Sequence, residues 1–388
     1  MQHMIRQNLH IPQGYKPSPL GIIPEDWEVK RLGEICTHFK SGNTITSKEI
    51  TEEGLYPVYG GNGLRGYSNT YTHEGNYILI GRQGALCGNI NFVEGKNYIS
   101  EHAIAVQTNE NMQWLKYKLE NWNLNRFSES SAQPGLSVEK LVRYKLSVPT
   151  LKEQNKIADI LSLWDTAIAK QTALIEKLTL RKRGLMQQLL TGKKRLKGFE
   201  GGSFHRLGNY ISECNRRNNG CNRVLSVTNT RGFILQEEQF DKIVASNDTS
   251  NYKVVRRGEF AYNPSRVNVG SLAMLNEYDE GILSPMYIVF KANENIEKSY
   301  LLQCLQSWWF RGHIPAYTQG SVRDSLSFDG LCSMKFYIPT LQEQKAISAI
   351  LEQADNEIEL ANKKLSYLQQ QKKGLMQVLL TGKKRINL

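Results

Sequence analysis

The sequence predicts an α+β fold: two globular mixed α/β domains separated by two long antiparallel coiled-coil helices, arranged as a pseudo-two-fold repeat. Three observations carry that prediction. The line GLMQQLLTGKKR at residues 184–195 recurs as GLMQVLLTGKKR at 374–385, with one residue changed. Apolar residues around each copy recur at alternating steps of four and three. The stretches before and between the copies instead carry short apolar runs broken by Gly, Asn and Ser, the pattern of strands and turns.

Sliding the chain by 190 positions aligns residues 149–195 with 339–385 at 23 identities in 47. So long a period marks two copies of a whole module rather than a solenoid. In the first copy the seam runs through Ile157, Leu161, Trp164, Ile168, Ile175, Leu178, Leu185 and Leu189, broken at Gln171 and Lys182. The second reads Ile347, Leu351, Ala354, Ile358, Ala361, Leu365, Leu368, Leu375 and Leu379, broken at Lys372. A seven-residue period sustained this far predicts a coiled coil. Pro149 and Pro339 precede the helices, and Gly192 and Gly382 follow them, with Lys and Arg alongside to suit the C-terminal dipole. Gly184 and Gly374 each cost roughly 1 kcal/mol relative to Ala inside a helix. Their repetition predicts close packing there. Helices of about 38 residues extend roughly 57 Å, and antiparallel pairing follows if a globular domain between them returns the chain. The expected domains are residues 1–148, 149–197, 198–338 and 339–388.

Both globular segments open alike, KRLGEI at 30–35 and HRLGNYI at 205–211. These phrases start 175 apart, so the second segment carries about fifteen more residues than the first, and the middles do not align. One frame thus holds two different inserts. In the first, YILIGRQGALCGNINF at 77–92 reads as strands and tight turns, and VYGGNGLRGYSN at 58–69 as a glycine-rich loop. In the second, YKVVRRGEFAYNPSRVNVGSLAML at 252–275 reads as strand, turn, strand. Arg pairs bidentately with guanine, and Asn or Gln with adenine. On that chemistry the candidate DNA contacts are Asn62, Arg65, Tyr67, Arg82, Gln83 and Gln133 in the first segment. In the second they are Arg216, Arg217, Arg223, Arg231, Arg266, Asn268 and Arg323; Gln133 and Arg323 are equivalent under the 190-residue offset. The residues expected to hold the helices together or to meet a partner are Ile157, Leu161, Trp164, Ile168, Leu178, Ile347, Leu351, Ile358, Leu365 and Leu368.

Composition bounds the function. At 40% hydrophobic and 22% charged over 388 residues, the chain reads as an ordinary globular protein. No run of about 18 apolar residues occurs and the N-terminus lacks a signal-like apolar stretch, so the expected location is cytoplasmic. Six scattered cysteines suggest reduced thiols, and the spacing of His205, Cys214 and Cys221 fits no common ligand pattern, so no metal is expected. The net charge of +12 points to an anionic partner. It is concentrated on the repeats: residues 152–197 carry +7 and 342–388 carry +3, against +1 for each stretch outside them. The GKKR lines are not phosphate-binding loops, because the glycine spacing and the Ser or Thr after Lys are wrong. NPSR at 263–266 lacks the second proline and the aromatic of an adenine methyltransferase loop, and no nuclease or nucleophile constellation is evident. No catalytic residue is expected in this chain.

Several phrases carry a resemblance. PTLKEQ and PTLQEQ open the helices, LLTGKKR closes both, and YKPSPLGIIPEDWEVKRLGEI (15–35), EGILSPMYIVF (280–290) and QGSVRDSLSFDGL (319–331) lie in the globular segments. In this order and duplicated, they resemble the specificity subunit of type I restriction-modification systems, over nearly the whole chain. The resemblance implies that each globular segment is a target recognition domain reading one half of an asymmetric bipartite site in double-stranded DNA. It implies that the helices set the gap and dock two copies of an adenine methyltransferase subunit. It also implies no cofactor in this chain, S-adenosylmethionine in the methyltransferase partner, and ATP and Mg in a restriction and translocase subunit. The assembled complex would methylate adenine at N6 and, with the motor subunit, cut DNA. A coiled-coil adaptor that clamps two proteins without binding DNA is the alternative.

Overall fold

The computed structural model describes residues 11–84, 86–128, 135–239, 248–318 and 325–386. The chain forms two compact units, Met1–Gln171 with Lys364–Leu388, and Thr172–Lys363. The unit boundaries fall inside the two 39-residue helices, Leu151–Leu189 and Leu341–Leu379, so each unit owns half of each.

Within the first unit the helix halves run antiparallel. Residue 153 meets 385 and residue 165 meets 372, one number falling as the other rises. The second unit repeats the arrangement, 343 with 195 and 355 with 182. Ile157, Leu161, Ile347 and Leu351 are buried, while Trp164, Ile168, Leu178, Ile358, Leu365 and Leu368 are half-buried. The seam is therefore driest where it meets a globular domain. Two of the positions that interrupt it are not defects: Lys182 and Lys372 reach carboxylates on the facing helix. The expectation of close packing at Gly184 and Gly374 is overturned. A β-carbon at either would meet nothing within 4 Å.

In the first unit the apolar run Tyr77–Gly81 is wholly buried because it lies inside a four-stranded antiparallel sheet, in the order Cys36–Ser41, Ala103–Thr108, Tyr77–Gly81, Ile90–Val93. A second sheet orders Gly63–Ser68, Tyr56–Gly60, Lys96–Ile99 and His73–Glu74. The stretch expected as a glycine-rich loop at 58–69 is thus mostly a β-hairpin, with Asn62 in its turn and Arg65 and Tyr67 on its second strand. The core joins both ends of the sequence: Trp27, Trp114, Ile78, Leu146, Ile157, Leu161, Leu379 and Leu380 pack as one cluster.

The second unit shares the frame and one sheet of the first, and differs in the strands added to them. Glu28–Arg31 pairs antiparallel with Lys145–Val148 in the first unit, and Ser203–Arg206 with Lys335–Ile338 in the second. Between them, the second unit builds a four-stranded antiparallel sheet in the order Ile211–Glu213, Ile288–Ala292, Phe260–Tyr262, Leu272–Met274, which matches the order of the sheet that holds Tyr77–Gly81 in the first unit. It adds two two-stranded ribbons, Leu225–Thr228 with Gly232–Leu235 and Lys253–Arg256 with Glu280–Leu283. The strand–turn–strand reading of 252–275 needs correcting to that extent: Lys253–Arg256 leaves for a different partner, and Phe260–Tyr262 pairs with Leu272–Met274 across the NPSR turn. Phe260 and Phe290 stack at 5.1 Å inside this core, beside Tyr300, Phe310, Leu189 and Leu351.

Candidate nucleic-acid interface

The repeated motifs are mates within each unit. Glu153 of PTLKEQ, almost fully buried, accepts from Arg385 Nε at 3.0 Å and from Trp27 Nε1 at 2.7 Å. Glu343 of PTLQEQ accepts from Arg195 Nε at 2.9 Å. Buried carboxylates are retained when paired and hydrogen-bonded, which accounts for the last Arg of each GKKR. The neighbouring glutamines bind the recognition segment: Gln154 Oε1 accepts from Asn111 N at 2.9 Å, and Gln344 Oε1 from Glu297 N at 2.7 Å, each at the start of a helix. Gly192 and Gly382 sit at φ +71° and +72°, where glycine is favoured after a helix. An aromatic ring lies over each, Tyr337 over Gly192 and Trp27 over Gly382. Tyr337 lies on the strand Lys335–Ile338, whereas Trp27 lies just before the strand Glu28–Arg31 and shares the contact with Pro24, so the units cover the glycine with different residues.

On that frame the first unit brings together loops distant in sequence. Gly61 packs so close that a β-carbon there would stand 2.9 Å from the His102 carbonyl and 3.6 Å from Arg82 N. The hairpin turn that carries Asn62 therefore lies against the backbone at Arg82, and Arg65 lies over Gly60 on the same hairpin. Arg82 N donates to His102 O at 2.9 Å, Leu136 N donates to Arg82 O at 2.9 Å, and Gln83 bridges to Gly135. Asn62, Arg65 and Gln83 are exposed, Tyr67 and Arg82 half-buried. Gln133 lies outside the described residues. Sequence reasoning missed His102, which reaches this face only because Lys96–Ile99 and Ala103–Thr108 join different sheets.

In the second unit the candidates scatter. Arg216 is committed to Glu259, Arg217 donates to Asn251 O at 2.6 Å, and Arg223 donates to Glu280 O at 3.0 Å and stacks on Tyr278 at 4.8 Å. Nearby, Arg256 and Arg257 are tied to Glu280 and Asp279 at 2.9 Å. Arg231, which also pairs with Glu238 at 3.7 Å, and Arg266 line one cavity of about 540 Å³ with Asn229, Thr230 and Asn263. Asn268 is exposed on the short turn Val267–Val269 beside it. Arg323 lies outside the described residues. Of the TNTRG turn at 228–232 only Arg231 is a candidate by sequence; Thr228, Asn229 and Thr230, which also line this cavity, are missed, although the composition is that of a hairpin turn.

No group of three His, Cys, Asp or Glu able to hold a metal occurs among the described residues, and no helix among them is long and apolar enough to cross a membrane.

Two loop-bearing units built on one duplicated helical frame define a duplicated α+β protein. The family model described as the type I restriction modification DNA specificity domain matches twice, over residues 24–180 and 210–370. The chain belongs to this family of type I restriction-modification specificity subunits. The Escherichia coli type I restriction enzyme EcoprrI specificity subunit is 43% identical over 161 residues, 39% of this chain and 40% of that one. The Methanocaldococcus jannaschii MjaVIII specificity subunit is 26% identical over 404 residues, 94% of each chain. The solved S subunit of a type I system from M. genitalium shares the fold, with a TM-score of 0.58 at 14% identity over 93% of this chain and 96% of that one.

Proposed function

We propose that each unit reads one half of an asymmetric, bipartite site in double-stranded DNA, while the helices fix the gap between the halves. The carrying observation is the contrast between a frame whose bonds and one four-stranded sheet recur at repeat-related positions and the strands attached to it, a second four-stranded sheet in the first unit and two two-stranded ribbons in the second. Identical readers would favour a palindrome; unlike readers suit two unrelated half-sites. In this reading the chain catalyses nothing. It docks two copies of an adenine methyltransferase subunit that binds S-adenosylmethionine, and a restriction and translocase subunit that uses ATP and Mg joins the same cytoplasmic complex. Expression with the methyltransferase subunit, followed by long-read mapping of N6-methyladenine, tests it. One split, asymmetric motif is expected. A palindromic motif, or no methylation, refutes it.

A further inference from the structure

Gln83 and His102 face each other on the reading face of the first unit. Gln83 Oε1 stands 3.2 Å from His102 Nδ1, and His102 Nε2 stands 3.2 Å from Glu101 Oε1. A carboxylate oxygen only accepts, so Nε2 carries hydrogen in this arrangement. The other ring nitrogen then has two states. In a neutral imidazole Nδ1 holds a lone pair, which the Gln83 amide meets with its NH2, turning Oε1 outward. In an imidazolium Nδ1 also donates, Oε1 accepts, and the NH2 turns outward. The two ends of a glutamine amide have nearly the same shape, so this reversal needs no backbone movement.

We propose that His102 sets the hydrogen-bond polarity of Gln83 and thereby decides which base edge Gln83 reads, an inference that rests on the reading of this face as DNA-binding. The main chain beneath is fixed by Arg82 N to His102 O, by Leu136 N to Arg82 O and by the bridge from Gln83 to Gly135, which leaves the side chains as the adjustable part. Among the described residues, the charged side chain against the imidazole is Glu101, from its own loop. Arg82 contributes through its main chain, and Arg65 lies over Gly60 on the neighbouring hairpin. The second oxygen of Glu101 is buried without a hydrogen-bond partner, so the contact with His102 is what holds this carboxylate in place. An outward NH2 matches the acceptors of guanine or the O4 of thymine; an outward Oε1 matches the amino group of cytosine or adenine. Histidine is the side chain whose charge ordinarily changes between about pH 5 and 8. Base preference at the position Gln83 reads is therefore linked to a proton.

The test uses the full chain assembled with its methyltransferase subunits, acting on genomic DNA free of N6-methyladenine at about pH 6 and about pH 8, with the motif read by long-read sequencing. At one position of one half-site, the preference between acceptor-edged and donor-edged bases is expected to shift by about tenfold. His102→Phe removes the shift, and Gln83→Ala makes that position degenerate at both values. A wild-type motif that is the same at both pH values, while Gln83→Ala still relaxes it, overturns the role of His102 and leaves the DNA reading intact. If Gln83→Ala changes nothing in the motif, this face is not the reader and the inference falls with it. Should His102→Phe fail to fold, the wild-type comparison still decides.

Discussion

Lys372 donates to Asp165 across 2.6 Å, from one long helix to the other, and its repeat-related twin Lys182 reaches Asp355 at 2.5 Å. These lysines occupy seam positions where a coiled coil expects Leu, and polar residues at such positions fix register at a cost in stability. Burial pushes the Asp165 carboxyl up, but hydrogen bonds from Lys372 and Tyr117 outweigh it and hold the group below its ordinary range. The stability it contributes is therefore present above its unfolded value and lost as pH falls through the folded one. A double-mutant cycle with Lys372→Met and Asp165→Asn should give a coupling of about 1 kcal/mol, modest because the carboxylate still touches water. Asp165→Asn should also flatten the acid limb of thermal unfolding. A coupling near zero would show that packing alone sets the register.

The clip between motifs gives a unit-specific expectation. Arg385→Ala leaves the buried Glu153 with the Trp27 indole as its remaining partner and should cost the first unit about 2–3 kcal/mol. Arg195→Ala should do the same to the second unit through Glu343. Hydrogen exchange resolves the two, since each substitution should speed exchange chiefly in its own unit; uniform loss across the chain would contradict the division.

Glycines in one repeated line should respond in opposite senses. Gly184→Ala and Gly374→Ala add a methyl into open space on a helix and should stabilise by about 1 kcal/mol each. Gly192→Ala and Gly382→Ala force a positive φ and press on Tyr337 or on Pro24 and Trp27, so each should destabilise by more than about 1 kcal/mol. Denaturant midpoints of the four variants check this.

His38 and His73 stack edge to face at 5.7 Å, and His38 Nε2 is buried with no partner. Burial, and then the Lys40 charge, hold the His38 imidazole below its ordinary value; burial and then His38 do so for His73. The unfolded chain thus takes up protons first, and the stability present above about 6.5, the ordinary value, is lost as pH falls through the folded values. His38→Phe should weaken this loss between about pH 6.5 and 5 without lowering stability at neutral pH. An unchanged pH profile of the melting temperature would remove the pair from the account.

For the reading faces, Arg65→Ala should weaken DNA binding by about 1–3 kcal/mol and relax only one half-site, and Arg266→Ala the other. Arg216→Ala should act through stability instead, since its guanidinium is committed to Glu259. Methylation motifs of the three variants separate the cases, and loss at both halves from Arg65→Ala would count against separate readers.

The duplicated helices, their antiparallel sense and the unlike inserts were legible because repetition and a seven-residue period are one-dimensional signals. The faces were only half legible. Arg65 and Arg82 announce themselves by residue type, yet nothing local told Arg266 from Arg216, and His102 carries no motif.

What the sequence determined alone is the frame, since periodic burial along a helix is written residue by residue. Tertiary structure decided how each polar residue is used: whether Lys372 breaks a seam or bridges it, whether Arg216 meets a carboxylate or solvent, whether His102 stands beside Gln83. Those outcomes depend on which distant strands pair. A charge gains its partner through approach in space, and only the closed fold sets that distance.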